Sequence, residues 1–132
     1  MTFVERECLG GEFVYYNRRP DGKRLEDCVC RAISTAIGLD YNHVNELLDK
    51  TALEHECEKL CVCCYYNLLE GKFGFHRHTC HNGETVGDIA QTYPNDNLII
   101  RIHEHLTCAI DGKVFDTWDC TGKTVDCFWI VK

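Results

Sequence analysis

Residues 25–38, LEDCVCRAISTAIG, place a cysteine at the start of a segment with the apolar spacing of a helix. A thiol becomes a good nucleophile when its pKa is lowered, and the partial positive charge of a helix N-terminus has that effect. The backbone N–H groups of the first turn can also stabilise an oxyanion. Cys28 is therefore the candidate nucleophile, although a cysteine at such a position is more often a small buried apolar residue.

A nucleophilic thiol needs a histidine to move its proton and a third group to orient that histidine. The segment LTCAIDGKVFDTW predicts a β-hairpin that turns at Asp111-Gly112. A two-residue turn places Asp116 diagonally beside His105 on the same strand face, within reach of the imidazole. We therefore assign His105 as the base and Asp116 as the orienting acid. Asp119 would point to the opposite face, and we expect it to belong to the following turn.

The neighbours of these side chains have a catalytic and a structural interpretation. Asp27 is expected to cap the helix, and Arg31 to pair with an acid such as Asp27 rather than with a substrate. Cys30 points to a different side of the helix from Cys28 and is expected to be structural. Trp118 is expected either to shield the imidazole from water or to pack in the core.

The middle of the chain offers a competing site, because thiolates and imidazoles are the ligands that zinc prefers. Against this, the cysteines of CEKLCVCC interleave with leucines at helical intervals, which indicates the buried stripe of one helix over residues 53–69. The alternative function is a zinc-binding interaction module that uses two groups of residues. They are Cys57, Cys61, Cys63 and Cys64, and His76, His78, Cys80 and His81.

These residues must be positioned by helices in the first part of the chain and by antiparallel strands in the second part. This order predicts an α+β fold. Helices are predicted over residues 28–37, after Asp40 or Asn42, and within ETVGDIAQTYP. Strands are predicted in EFVYY, NLIIRI, LTCAI, KVFDTW and VDCFWIV. We expect residues 1–132 to form one domain, with N-terminal helices packed on a small antiparallel sheet.

Composition argues against several classes of partner. The net charge is −7 and the longest basic group is NRRPDGKR, so we expect neither a nucleic acid nor a membrane as partner. The eleven cysteines are an odd number, and the charged N-terminus lacks the apolar run of an export signal. We therefore expect reduced thiols and a cytoplasmic location.

The segments DCVCRAISTAIGLDYNHV and NLIIRIHEHLTCAIDGKVFDTWDC resemble small papain-like cysteine peptidase-like proteins of bacteria and bacteriophages. Those proteins share an Asp-Cys-x-x-Arg-Ala helix start and a hairpin of the form His…Asp-Gly…Asp-Thr-Trp-Asp. The resemblance covers about residues 27–131. It implies a papain-like cysteine-peptidase fold and a Cys28–His105–Asp116 triad that cleaves an amide or isopeptide bond in a peptide or protein substrate. We expect no cofactor.

Papain-like enzymes generally place a glutamine shortly before the cysteine to complete the oxyanion hole, and no glutamine precedes Cys28. Asn17 or a backbone amide is the expected replacement. The same residues would serve acyl transfer as well as hydrolysis. A catalytically inactive papain-like domain retained for binding is a further alternative, because a fold does not by itself fix a function.

Overall fold

The computed structural model describes residues 12–23, 26–80 and 82–132, which form an α+β fold. The elements in chain order are strand β1 (Glu12–Tyr15), helices α1 (Cys28–Ile37), α2 (Tyr41–His55) and α3 (Val62–Tyr66), a π-helical segment (Asn67–Lys72), β2 (Arg77–Thr79), α4 (Val86–Thr92), β3 (Asn97–Ile102), β4 (His105–Ile110), β5 (Lys113–Asp116) and β6 (Val125–Val131). Most of the predicted elements are therefore present. Two parts of the sequence predictions lie outside the described residues: the charged N-terminal segment over residues 1–11 and the candidate ligand His81.

The strands described form one mixed sheet in the order β1-β5-β4-β3-β6-β2. β1 runs parallel to β5, whereas the other neighbouring pairs are antiparallel. The expectation of a wholly antiparallel sheet is wrong at this edge. Parallel neighbours need a long connection between them, and here most of the chain separates β1 from β5, so no hairpin signal could have revealed the pairing.

The β4–β5 hairpin has the predicted register. Ile110 pairs with Lys113 across the turn at Asp111-Gly112. Asp111 and Gly112 have φ values of 54° and 75°, the left-handed conformation that tight hairpin turns require. The first residue of β4 and the last residue of β5 consequently lie at the same end of the sheet.

Helices cover both faces of the sheet. One core lies between the sheet and α1, α2, α3 and the π-helical segment, and it includes Ile33, Leu48 and Trp129. The second core lies under α4 and includes Val86 and Ile89. No helix in the described part of the chain has both the length and the apolar character needed to cross a membrane. Because α1 packs directly on β4, the start of this helix is held close to the end of the sheet.

The ends of the first two helices follow local signals that the sequence contains. Gly38 ends α1 with a φ of 81°, and its N–H donates to the carbonyl of Ser34. Asp40 begins α2, where its carboxylate accepts from the N–H groups of Asn42 and His43. These two caps fix the length of α1 and the sharp turn into α2.

The predicted helix over residues 53–69 is wrong. α2 ends before Glu56, which adopts a left-handed conformation with a φ of 52°, and a loop separates it from α3. As a result Leu53 is 81% exposed and Leu60 is 49% exposed, while Leu68 is fully buried. The apolar spacing is therefore shared between two helices and a loop, and Leu60 lies on that loop.

Replacing Leu68 with alanine is expected to lower the free energy of unfolding by about 2–5 kcal/mol, because the substitution leaves a cavity in the core. Leu53→Ala is the matched control, and its exposed side chain should change the same quantity by less than about 0.5 kcal/mol. Urea denaturation followed by circular dichroism measures both. A comparable loss for Leu53→Ala would indicate one continuous buried helix and contradict the break at Glu56.

Candidate active site

Three side chains meet at the end of the sheet where α1 begins. Cys28 is the first residue of α1, His105 the first residue of β4 and Asp116 the last residue of β5. Nε2 of His105 lies 2.6 Å from Oδ2 of Asp116, and Cys28 and His105 line the same cleft, close enough for each to shift the pKa of the other. The fold thus brings together the three residues that the sequence singles out.

The imidazole of His105 is fixed at one nitrogen and available at the other. Because Nε2 contacts Asp116, Nδ1 is the nitrogen left to exchange a proton with Cys28. Trp118 packs against the ring, with centroids 4.9 Å apart and an interplanar angle of 54°. Trp118 is itself 37% exposed, so it forms a wall beside the imidazole rather than part of the core.

The surroundings of the thiol and the imidazole favour a thiolate and an imidazolium. Burial raises the pKa of Cys28, but hydrogen bonds from His105 and from the backbone N–H of Leu106, with the positive charges of His105 and Arg31, bring it below its ordinary value. Burial lowers the pKa of His105, whereas its hydrogen bond to Asp116, contacts with two thiols and the Asp116 charge raise it well above the ordinary range. The opposite shifts indicate an ion pair.

Asp116 is held at both carboxylate oxygens. Oδ2 faces His105, while Oδ1 accepts from the backbone N–H of Thr117 at 2.7 Å and from Nη1 of Arg31 at 3.1 Å. Burial raises the pKa of Asp116, but the hydrogen bond and charge of His105 and the Thr117 N–H hold that pKa below its usual value. The carboxylate is therefore charged and rigidly oriented towards the imidazole.

Arg31 connects Asp116 to the start of α1. Its Nε donates to Asp27 at 2.7 Å, which confirms the predicted pairing. Asp27 also accepts from the hydroxyl of Tyr41 at 2.6 Å and from Arg19 at 3.4 Å. Asp27 occupies the predicted N-cap position of α1, but the expected capping bond is absent, because its carboxylate accepts no hydrogen bond from a backbone N–H of the first turn. Its carboxylate is occupied by these three donors instead.

Asn17 is not placed where an oxyanion donor would be needed. Its amide N–H groups donate to the carbonyls of Gly22 and Lys23, and its Oδ1 accepts from the backbone N–H of Arg19. It does not line the cleft over Cys28. The expectation that Asn17 replaces the missing glutamine is therefore wrong, because the side chain is used to organise its own loop.

An open cleft of about 780 Å³ lies over the thiol–imidazole pair. Its lining includes the apolar side chains of Leu60 and Trp118 and the carboxylates of Glu26 and Glu104. Neither glutamate nor Leu60 is marked as a site residue by the sequence pattern, since their common location depends on how the loops before α1, α3 and β4 come together. The cleft gives a substrate direct access to Cys28.

Two further thiols lie close to the site, and both are buried. Cys30 donates to the carbonyl of Tyr41 at 3.4 Å, and burial and the nearby charge of Asp27 raise its pKa to about 11, which fits the structural role expected for it. Cys120 is fully buried, and its Sγ lies 3.8 Å from Oδ2 of Asp116. No motif in the sequence marks Cys120 as a neighbour of the pair.

The two groups of residues that form the alternative zinc site lie apart, as far as the structure describes them. Cys57 and Cys61 pack against the core on the α1 face of the sheet. Cys80 packs against the core on the α4 face, where His78 stacks on Phe128 with centroids 5.1 Å apart. A single ion could not bind both halves. Among the described residues, the one group with three potential ligand atoms within 4.8 Å of one another is His105, Asp116 and Cys120.

The arrangement suits attack by a thiolate on an electrophilic carbon, because the candidate nucleophile, proton carrier and orienting acid lie together beside an open cleft. No protein-family model, curated protein or solved structure matches this chain. The chemistry of the site is therefore the basis on which a function can be argued.

Asp116→Asn is expected to slow the alkylation of Cys28 by at least about tenfold at pH 6, because an amide neither stabilises the imidazolium nor fixes its tautomer. Asp119→Asn is the matched control. Asp119 accepts from the backbone N–H and hydroxyl of Thr121 at 3.0 and 2.6 Å in the turn after β5, as the sequence predicts. Mass spectrometry of iodoacetamide-treated protein measures both rates. If Asp116→Asn leaves the alkylation rate of Cys28 unchanged, Asp116 does not orient His105 and is not part of the triad.

The alkylation rate of Cys28 is expected to fall less steeply than that of free cysteine as the pH drops from 8 to 6, since a lowered thiol pKa leaves a larger thiolate fraction at each pH. Free cysteine, with a pKa of about 8.5, should instead lose close to tenfold in rate per pH unit. His105→Ala should shift the Cys28 profile towards that of free cysteine. A wild-type profile that already follows free cysteine would contradict the ion pair.

Proposed function

We propose that this protein is a cysteine-dependent hydrolase or acyltransferase of papain-like fold that acts on an amide or isopeptide bond of a peptide or protein. The observation that carries the proposal is the 2.6 Å contact between the His105 imidazole and the Asp116 carboxylate, at a cleft that His105 lines together with Cys28. Because this cleft is open, the thiol is available to a substrate.

The placement of the three residues also supports the papain-like assignment. The nucleophile begins a helix that packs on the sheet, and the imidazole and carboxylate come from adjacent antiparallel strands. The chain order of cysteine, histidine and aspartate agrees with the papain-like plan that the sequence resemblance implies. The position of each residue in the fold and the order of the three residues along the chain therefore support the proposal independently of the His105–Asp116 contact.

In the first step, the Cys28 thiolate attacks the substrate carbonyl carbon and forms a C–S bond, while the carbonyl π electrons move to oxygen. Backbone N–H groups in the first turn of α1 hold the oxyanion, since the Asp27 carboxylate does not cap them. As the oxyanion collapses, the His105 imidazolium donates a proton to the leaving nitrogen and the C–N bond breaks. The products are a free amine and a Cys28 thioester.

In the second step, neutral His105 removes a proton from water or from an acceptor amine, which attacks the thioester carbonyl. The C–S bond breaks and the thiolate returns, so His105 is again an imidazolium beside Cys28. Asp116 remains ionised throughout and keeps Nε2 of the ring directed towards itself. Water yields hydrolysis and an amine yields acyl transfer, and both use the same three residues.

Two observations favour an active enzyme over an inactive binding domain. The pKa of Cys28 is lowered by its partners despite burial, and the thiol opens onto a cleft rather than into the core. A domain retained for binding alone would need neither the charged imidazole nor its buried acid. The zinc module is not supported, because its two ligand groups pack against opposite faces of the sheet.

The test is acylation of Cys28 by p-nitrophenyl acetate, followed by cleavage of a peptide library. We expect a burst of nitrophenolate, an acetyl group on Cys28 located by mass spectrometry, and turnover that Cys28→Ala lowers by at least about 100-fold. Cys30→Ala is the matched control and should retain the burst, because its thiol faces away from the cleft. Acetylation elsewhere with Cys28 unmodified, or no turnover of esters and peptides, would overturn the proposal.

A further inference from the structure

We propose that the cleft beside Cys28 selects substrates carrying a lysine or arginine side chain next to the bond that is cleaved. This inference rests on the proposed function, since it names the substrate class of the same site. Three features of the cleft support it: the sign of its unpaired charges, the chemistry of its apolar walls, and the position of both relative to Cys28 and His105.

Among the described residues, two exposed carboxylates line the cleft. Glu26 lies two residues before Cys28 and Glu104 lies immediately before His105, and both line the cleft with exposed side chains. Each reacting side chain therefore has a carboxylate beside it. A substrate whose reactive carbonyl reaches Cys28 must bring its flanking groups close to these two carboxylates.

Within residues 12–23, 26–80 and 82–132, the positive charges near the cleft do not cancel these carboxylates. Arg31 also lines the cleft, but its guanidinium is bound to the carboxylates of Asp27 and Asp116 at 2.7 and 3.1 Å. His103 lies 3.6 Å from Glu104, yet the two side chains are 92% and 84% exposed, so solvent screens their interaction. The imidazolium of His105 is balanced by the thiolate and by Asp116. The part of the cleft lining that the structure describes consequently presents a negative potential to a ligand.

The apolar walls match the stem and head of a basic side chain. Leu60 is 49% exposed and offers an aliphatic surface for the methylene groups of lysine or arginine. Trp118 exposes 37% of its surface beside His105, and an indole attracts an ammonium or guanidinium group placed over its face. A neutral apolar substrate would use Leu60 and Trp118 and leave the two glutamates without a partner.

The backbone at Glu104 supports the same conclusion. Glu104 has a φ of 54° in the turn between β3 and β4, a conformation that glycine or asparagine adopts more readily than glutamate. The turn therefore has no conformational need for a glutamate at this position. What the residue adds is a carboxylate on the cleft side of His105.

The first experiment measures the charge preference of the cleft without any peptide cleavage. Two methanethiosulfonates of similar size, one with a trimethylammonium group and one with a sulfonate, each react with a thiolate to form a mixed disulfide and release methanesulfinate. Tandem mass spectrometry gives the rate at Cys28 for each reagent. We expect the cation to react at least about tenfold faster at low ionic strength, with the ratio falling in 0.5 M salt as the charges are screened.

Variants assign that preference to the two glutamates. The double variant Glu26→Gln, Glu104→Gln should reduce the cation-to-anion ratio severalfold, and lysine at both positions should invert it. Glu46→Gln is the matched control, because Glu46 is an exposed residue of α2 outside the cleft, and it should leave the ratio unchanged. Equal cation and anion rates in the wild type, or a ratio that the double variant leaves unchanged, would overturn the inference.

Neutral iodoacetamide separates this inference from the proposed function. Rapid alkylation of Cys28 at pH 6 together with a cation-to-anion ratio near one would overturn the charge selectivity and leave the thiol enzyme standing. Slow alkylation of Cys28 by all three reagents would overturn the proposed function itself. In the peptide library, cleavage concentrated beside lysine or arginine is expected, and cleavage concentrated beside aspartate or glutamate would contradict the inference.

Discussion

The buried guanidinium of Arg31 is the contact on which the geometry of the site depends. It joins Asp27 at the start of α1 to Asp116 at the end of β5, so one side chain sets the separation between the helix that carries the thiol and the strand that carries the acid. The two carboxylate side chains are only 11% and 2% exposed. Leaving such charges unpaired costs about 3–5 kcal/mol, which ties the stability of the fold to the arrangement of the site.

The charges that surround Arg31 alternate in sign, and this order explains how a charged imidazole persists in a buried position. Burial raises the pKa of Asp27, but hydrogen bonds from Tyr41 and Arg31 hold it below its usual value. The next charges are those of Arg31, Asp116 and His105, and the last is the Cys28 thiolate. Each buried charge therefore has a partner of opposite sign within the same network. Removing the thiolate would leave the imidazolium with Asp116 alone.

The parts of this arrangement that could be predicted are the ones that local chemistry determines. Asp111-Gly112 fixes the hairpin register, and strand alternation then places His105 beside Asp116. The side-chain partners of Asp27 could not be predicted in the same way, because a helix cap and a buried ion pair compete for one carboxylate and only the tertiary fold decides between them. The break at Glu56 was also hidden, since apolar spacing continues through the loop that interrupts the helix.

The chain contains eleven cysteines, and the pKa of one of them, Cys28, is set by its partners rather than by burial. Cys30 and Cys108 are buried without a cationic partner in contact, and burial raises the pKa of both thiols. Cys28 is half-buried, yet its pKa is lowered, because the hydrogen-bonding groups and positive charge of His105 and the Leu106 N–H outweigh the effect of burial. Desolvation strengthens such interactions as well as opposing ionisation. The burial that raises the pKa of Cys30 and Cys108 thus makes the partners of Cys28 more effective.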